Sequence, residues 1–582
     1  MMLTVTEQFR RVRDRLVDHQ LDWDQARADF EWPHFEHFNF GLDWFDAVAD
    51  TSERKDAAAL VIAEEDGQVL RRTFAELSRD SNKVAQWLQR VGVQRGDRVI
   101  LMLNNQIELW ESMLGCIKTG AVMIPTTTQM GPEDLQDRVN RASARWVIVS
   151  ATDAHKFADV AGDYTVISVP GYYTPDAILP RLSERSVLNF TEAYQCDGHF
   201  QPEAPTPAED TLLLYFTSGT TSKPKLVEHT HVSYPVGHLS TMYWIGLEPG
   251  DVHLNLASPG WAKHAWSNFF APWIAEATIF VLNYRKFDAA GLMSAMDANG
   301  VTSFCAPPTV WRMLIKADLS TMKHPPQKTV SAGEPLNAEV IDQVHRAWGA
   351  TIRDGFGQTE SSLQIANTPG QRLEIGSMGR PLPGFDVVLV DPITGAEARE
   401  GEICLKLEPR PIGLMRGYSG DAEKTEEAFR DGLYHTGDIA SVNEHGVYTY
   451  VGRSDDVFKS SDYKISPFEL ESVLVEHPAV LEAAVVPVPD ELRLTIPKAF
   501  VTLASGVEPT RETAQQILQH TLTKLPPYKR IRLIEFRELP KTISGKVRRV
   551  DLRSLEADRD EAASPRTAEF HESDLQLDRD NR

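Results

Sequence analysis

The sequence predicts the α/β fold class: a large N-terminal domain of parallel-rich sheets with helices plus a barrel-like subdomain, followed by a small α+β C-terminal domain. Three observations carry that expectation. The chain has 582 residues, well beyond the roughly 250–300 at which a single core stops growing. Short β-branched runs alternate with helix-length segments from about Arg98 to Val310, which is the rhythm of βαβ units. Past Gly370 the texture changes to shorter alternating runs with turn signals, as in antiparallel or barrel-like sheets.

In chain order, DRVILML reads as a strand, QIELWESMLGCIKTG as a helix closing on Gly120, and AVMIP as the next strand. Further strands are expected at 145–150, 164–169, 211–216, 277–282 and 301–306, continuous apolar runs of the kind buried parallel strands show. FDVVLVDPITG and GEICLKL fit the barrel-like subdomain, which ends before position 450. A helix at 469–475, strands at LEAAVVPV and PKAFVTL, and a helix at ETAQQILQHTLTKL make the small α+β unit. The domain bounds are therefore 1–454, 455–553, and a tail at 554–582. The tail is dense in Asp, Glu and Arg with scattered apolar residues, a composition that predicts disorder.

Composition narrows the function. The 60 Lys plus Arg face 83 Asp plus Glu, a net charge of -23, so the long-range field repels nucleic acid and anionic membrane surfaces. An anionic ligand must then be held by local devices. Cys116, Cys196, Cys305 and Cys404 are far apart with no C-x-x-C pair, which argues against a disulfide framework or zinc site and for a reducing cytoplasm. No run approaches 18 apolar residues, so no membrane span is expected.

The strongest local signal is YFTSGTTSKPK, from Tyr215 to Lys225. A strand runs into a loop of hydroxyls, one glycine and two lysines, which offers backbone N–H groups, hydroxyls and ammonium charges to phosphate oxygens. It is not a Walker A loop, because G-x-x-x-x-G-K-[ST] does not occur.

This loop resembles the T-S-G-T-T-G-x-P-K signature of the acyl-adenylate-forming superfamily, and within it the medium-chain acyl-CoA synthetases. SAGEP (331–335), DGFGQTE (354–360), YHTGD (434–438), GRSDD (452–456) and PKTISGKVRR (540–549) follow in the family's order. FNFGLDWFD (38–46) is similar to the entry of medium-chain members. The resemblance spans nearly everything except the tail.

It implies an AMP-forming acyl-CoA ligase using ATP, Mg²⁺ and coenzyme A on a small-molecule carboxylate larger than acetate, with a homodimer admitted. Lys546 resembles the lysine that bridges carboxylate and α-phosphate. Glu360, with Thr220, resembles the Mg²⁺ ligand set near the β- and γ-phosphates. Thr217, Ser218, Gly219, Thr220, Thr221 and Lys225 match the phosphate loop. Gly333, Glu334 and Pro335, with Asp354, Gly355, Phe356, Gly357, Gln358 and Thr359, match the nucleotide slot. Asp438 matches the ribose acceptor, Arg453 its cationic neighbour, and Lys464 the position of a usual Arg. Asp455 resembles a hinge about which the small domain is mobile. Relatives restricted to acetate carry Trp where this chain has Gly357, so an opened pocket floor is expected, lined by Trp261 and the apolar residues around Trp266 and Trp273.

Ser222 and Leu226 replace glycines of the signature, Asp462 stands in KSSDYKI where relatives place Gly in the path of pantetheine, and Leu494 replaces another Gly. These departures touch the CoA half more than the adenylation half. Two other readings therefore stay open: an adenylating enzyme that delivers its acyl group to an amine or carrier protein, and a weakly catalytic binding protein.

Overall fold

A computed structural model of the chain describes residues 3–171, 186–217, 224–333, 336, 338–460, 463–490, 493–542, 546–558 and 568–577. It divides into two compact units: the first holds 1–217, 225–386 and 406–433, the second 218–224, 387–405 and 434–582. The barrel-like strands thus belong with the C-terminal unit, whereas the sequence placed them before a boundary at 454.

The first unit contains two large sheets. In one of eight strands, Thr211–Phe216, Val122–Pro125, Arg98–Met102, Trp146–Ser150, Thr165–Val169 and Val187–Asn189 lie side by side and parallel. Leu226–Thr230 returns antiparallel to Thr211–Phe216 and carries Gly417–Tyr418 at the edge. In the nine-stranded sheet, Ala58–Ala63, Thr278–Leu282, Val252–Asn255, Ser303–Cys305, Lys328–Ala332 and Arg353–Gly357 are parallel neighbours. Parallel strands need helical crossovers that cover both faces, which explains the apolar runs read from the sequence.

The expected helix forms as Ile107–Thr119, closed by left-handed Gly120. It packs on Phe74–Val91 so closely that a Cβ on Gly115 would lie 2.8 Å from Val84 Cγ1. Near its end the fully buried Lys118 Nζ donates to Asp46 (2.7 Å), Ser81 Oγ (2.9 Å) and Asn82 Oδ1 (2.8 Å). Asp46 ends the FNFGLDWFD segment, whose Phe38, Phe40, Trp44 and Phe45 are all buried. That entry motif is therefore core, anchored at its end by an ion pair between buried Lys118 and half-buried Asp46.

In the second unit, Val387–Val390 pairs antiparallel with Glu400–Lys406, and Leu433–Val442 with Tyr448–Arg453 across a bulge at Ile439/Ala440. The small α+β part is built on Val480–Asp490, Leu494–Leu503 and Leu533–Phe536, with helices Pro467–Val475 and Arg511–Lys524 closing its core through Leu470, Leu474, Ile517 and Leu518.

The tail requires a correction. Helix Arg549–Ala557 runs into it, and Glu569–His571 adds an antiparallel strand to Leu533–Phe536. The cause is Lys498, whose fully buried ammonium is held by Glu535 (2.8 Å), Glu556 (2.8 Å) and Glu569. Two of these three acids come from the tail, so charge read as solvated is instead the partner of a buried cation. Among the described residues no helix is long and apolar enough to cross a membrane.

Candidate functional site

The first unit carries Thr217 and Lys225, which flank the loop of hydroxyls, and the DGFGQTE segment. Ser218, Gly219, Thr220 and Thr221 lie outside the described residues, as do Glu334, Pro335 and Asp462. The ends of the loop meet, with the Thr217 N–H donating to the Lys225 carbonyl at 2.9 Å. Lys225 Nζ lies 3.2 Å from the Tyr418 hydroxyl and 4.6 Å from its ring centroid. Tyr418 in turn donates to Glu360 Oε1 at 3.0 Å. The phenol thus holds a cation and a carboxylate in one cluster, and Glu360 retains lone pairs for a hard cation.

The turn bearing Glu360 is fixed from below by His229. Burial lowers this imidazole to about 4, so it is neutral, and a carbonyl only accepts. Its Nε2–H therefore donates to the Thr359 carbonyl (2.8 Å), and Nδ1 accepts from Ser233 Oγ (3.1 Å). The Met415 N–H adds a 2.7 Å bond to the Glu360 carbonyl. His229 and Tyr418 are positioning residues that no motif flagged. Their signal is spatial, from strands adjacent in the sheet and distant in sequence.

Asp354 sits at the start of the nucleotide-slot segment. Desolvation raises its carboxyl to about 7, against hydrogen bonds from the Gly355 and Leu336 N–H groups and the charge of Lys263. Unfolded, the group titrates near 3.8. Between those values the native state keeps a proton that the unfolded chain has released, so stability falls as pH rises through the window. Asp354→Asn is expected to abolish that slope, worth on the order of 2–3 kcal/mol from about pH 5 to 7. Urea midpoints of both proteins across the range provide the check.

The remaining slot residues follow in order. Gly355 faces Trp244, whose Cε2 would be 2.9 Å from an added Cβ. Phe356, Gly357, Gln358 and Thr359 are half-buried, and Gly333 adopts φ 104°. Trp261 is half-buried and N-caps Ala262–Ala265, from which Lys263 Nζ reaches the Ala332 carbonyl at 2.9 Å. Trp273 is core, donating to the Ala59 carbonyl at 3.1 Å. A Cβ added at Gly357 would stand 2.9 Å from Trp266 Cη2, so that indole borders the space beside the glycine.

In the second unit, Asp438 is buried, accepting from Tyr450 OH at 2.9 Å, with Arg453 at 3.5 Å. Preceding it, Gly437 has φ 73°, and its N–H donates to Glu402 Oε1 at 2.8 Å. This left-handed turn aims the carboxylate and strains any residue with a Cβ. Arg453 also lies 3.5 Å from Asp455. Lys464 is exposed, 3.7 Å from Glu400.

Lys546 is exposed at the end of a turn closed by Thr542 N–H to its carbonyl (2.8 Å) and by its own N–H to Thr542 Oγ1 (3.1 Å). Three residues on, Arg549 makes a two-pronged pair with Glu471 (3.0 and 2.6 Å) and reaches Asp456 at 3.4 Å. Arg553 meets the same Asp456 at 2.5 Å. The lysine turn is thereby tied to Asp456, the residue beside Asp455, and clamped to Glu471 by a planar fork-to-carboxylate pair for which Lys would not substitute. Neither arginine was assigned a role from sequence.

Comparison with known proteins matches this arrangement. The profile described as "AMP-binding enzyme" covers residues 46–419, and "AMP-binding enzyme C-terminal domain" covers 469–546. A 4-hydroxybutyrate–CoA ligase from Metallosphaera sedula is 42% identical over 530 residues, spanning 90% of this chain and 91% of that protein. The mitochondrial acyl-coenzyme A synthetase ACSM3 of Mus musculus is 36% identical over 549 residues, covering 92% and 93%. Among solved structures, the anthranilate CoA ligase AuaEII in complex with anthranoyl-AMP superposes with a TM-score of 0.78 at 28% identity, covering 91% and 99%. An acyl-CoA synthetase from Brucella canis gives 0.69 at 31% identity, covering 92% and 99%. Shared sequence over nearly the whole length, with both profiles in order, establishes that the chain belongs to the AMP-binding enzyme family.

Proposed function

We propose that this protein is an AMP-forming acyl-CoA ligase. The carboxylate of an organic acid larger than acetate attacks the α-phosphorus of ATP, and the bond to the bridging oxygen breaks, releasing pyrophosphate. The thiol of coenzyme A then attacks the acyl carbonyl, and AMP leaves. The observation that carries the reading is end-to-end similarity to proteins named as CoA ligases.

Lys225 binds phosphate oxygens, Glu360 and Thr220 are the residues that would hold Mg²⁺, and Asp438 accepts hydrogen bonds from the ribose hydroxyls. Mg²⁺, when bound, neutralises charge on the phosphate oxygens. Lys546 stabilises the charge that develops at the α-phosphate. Asp455 serves as the hinge that lets the C-terminal segment, bounded as 455–553, exchange poses between the two half-reactions. Gly333, Glu334 and Pro335, with Asp354 and Phe356, receive the adenine, while Gly355, Gly357, Gln358 and Thr359 belong to the nucleotide-binding segment, Gly357 bordering the acyl group as well. The four cysteines are buried thiols, which supports a reducing, cytoplasmic setting.

Exchange of labelled pyrophosphate into ATP is expected only when a carboxylate is present, tested with butyrate to decanoate and benzoate. AMP release is expected only when coenzyme A is added. Exchange that ignores the acid, or acid-dependent exchange without CoA-dependent AMP release, overturns the assignment.

A further inference from the structure

Strand Glu400–Lys406 lies beside strand Leu433–Val442 in the second unit. Successive side chains of a strand point to opposite faces, so Glu402 and Cys404 share one face, and His435 meets them from the neighbouring strand. The His435 Nδ1 lies 2.9 Å from Glu402 Oε2 and 3.4 Å from Cys404 Sγ. One donor atom from each of the three falls within 4.8 Å of the others. Cys404 is fully buried, and the side chains of His435 and Glu402 are 7% and 12% exposed.

These spacings approach those around a tetrahedral cation. With zinc–sulfur bonds of about 2.3 Å and zinc–nitrogen or zinc–oxygen bonds of about 2.1 Å, sulfur and nitrogen stand about 3.6 Å apart, and nitrogen and oxygen about 3.4 Å. The sulfur–nitrogen spacing is already close to that value, whereas the hydrogen bond from the imidazole to Glu402 has to open by about 0.5 Å. The carboxylate is held for the purpose. Its Oε1 accepts the Gly437 N–H at 2.8 Å while Oε2 faces the cluster, the kind of outer hydrogen bond that orients a ligating group. The other ring nitrogen, His435 Nε2, is buried with no hydrogen-bond partner among the described residues, so the imidazole breaks no second bond when it shifts.

We propose that Glu402, Cys404 and His435 form a binding site for one divalent transition cation of the zinc class. The donor set decides the class, because thiolate and imidazole favour zinc, whereas Mg²⁺ takes oxygen ligands. Binding breaks the Cys404 S–H bond, releases that proton to solvent and forms the metal–sulfur bond with no change of oxidation state. Water completes the fourth position. The cluster of Glu535, Glu556 and Glu569 differs, since the Lys498 ammonium already fills it. No motif marks the site, because Glu402 and His435 stand 33 positions apart.

The test titrates Zn²⁺ and, separately, Co²⁺ into the full-length, reduced, metal-stripped chain in excess Mg²⁺. One equivalent of Zn²⁺ is expected to bind and to raise the unfolding midpoint, and Co²⁺ to give a thiolate-to-cobalt charge-transfer absorption. Cys404→Ser is expected to abolish that absorption and to weaken Zn²⁺ binding at least about 100-fold, beyond the roughly 10–100-fold that loss of an outer partner costs. His435→Gln is expected to weaken binding comparably, and it decides the matter if the serine variant does not fold. Lack of the absorption in the wild type, or absorption and affinity unchanged in a folded variant, overturns the inference. Both readouts are binding measurements, so the result stands apart from the outcome for the ligase reading.

Discussion

Lys546→Ala is expected to lower acid-dependent pyrophosphate exchange about a thousandfold while leaving the unfolding midpoint unchanged. One ammonium about 4 Å from developing phosphoryl charge contributes on the order of 4 kcal/mol at an effective dielectric of 20, which is about three decades in rate. The side chain is exposed, and the turn around it is held by backbone groups and Thr542, so alanine removes charge without removing packing. Exchange kinetics read alongside thermal unfolding separate the two effects. Normal exchange in the variant would refute the role assigned to Lys546.

Lys498→Met carries the largest expected loss of stability. The ammonium is fully buried among Glu535, Glu556 and Glu569, and Arg537 lies 3.5 Å from Glu535. Methionine fits the volume but strands three carboxylates, and breaking a buried ion cluster by removing one partner costs about 3–5 kcal/mol. Set against a domain stability of about 5–15 kcal/mol, that is expected to fray the strand Glu569–His571 and helix Arg549–Ala557. Urea unfolding together with amide exchange across 533–577 measures it. An unchanged midpoint and unchanged protection would show that the cluster does not hold the tail. Because helix Arg549–Ala557 follows directly on Lys546, a frayed tail should also reduce exchange, linking a remote ion cluster to catalysis.

Much of the fold was legible from the chain. The strands expected at 145–150, 164–169 and 211–216 form as Trp146–Ser150, Thr165–Val169 and Thr211–Phe216, because strands buried on both faces leave uninterrupted apolar runs. The N-terminal helix Val5–Asp18 escaped the reading despite its capping box of Thr4 and Glu7. Its mixture of charged and apolar residues is that of an amphipathic helix, with Phe9 and Leu16 buried. The tail failed for a related reason. Average composition hides Phe570 and Leu575, which join the core of the C-terminal sheet.

The sequence by itself determined the family and the reaction class, and it named the candidate site residues, because ordered motifs such as DGFGQTE, YHTGD and PKTISGK survive as local strings. Only the tertiary structure decided what holds them in place. His229 under Thr359, Tyr418 between Lys225 and Glu360, Arg549 on Asp456, and Trp266 behind Gly357 join positions far apart in the chain. Hydrogen bonds, ion pairs and excluded volume depend on distance in space, and no local pattern of residues encodes which remote side chain will occupy it.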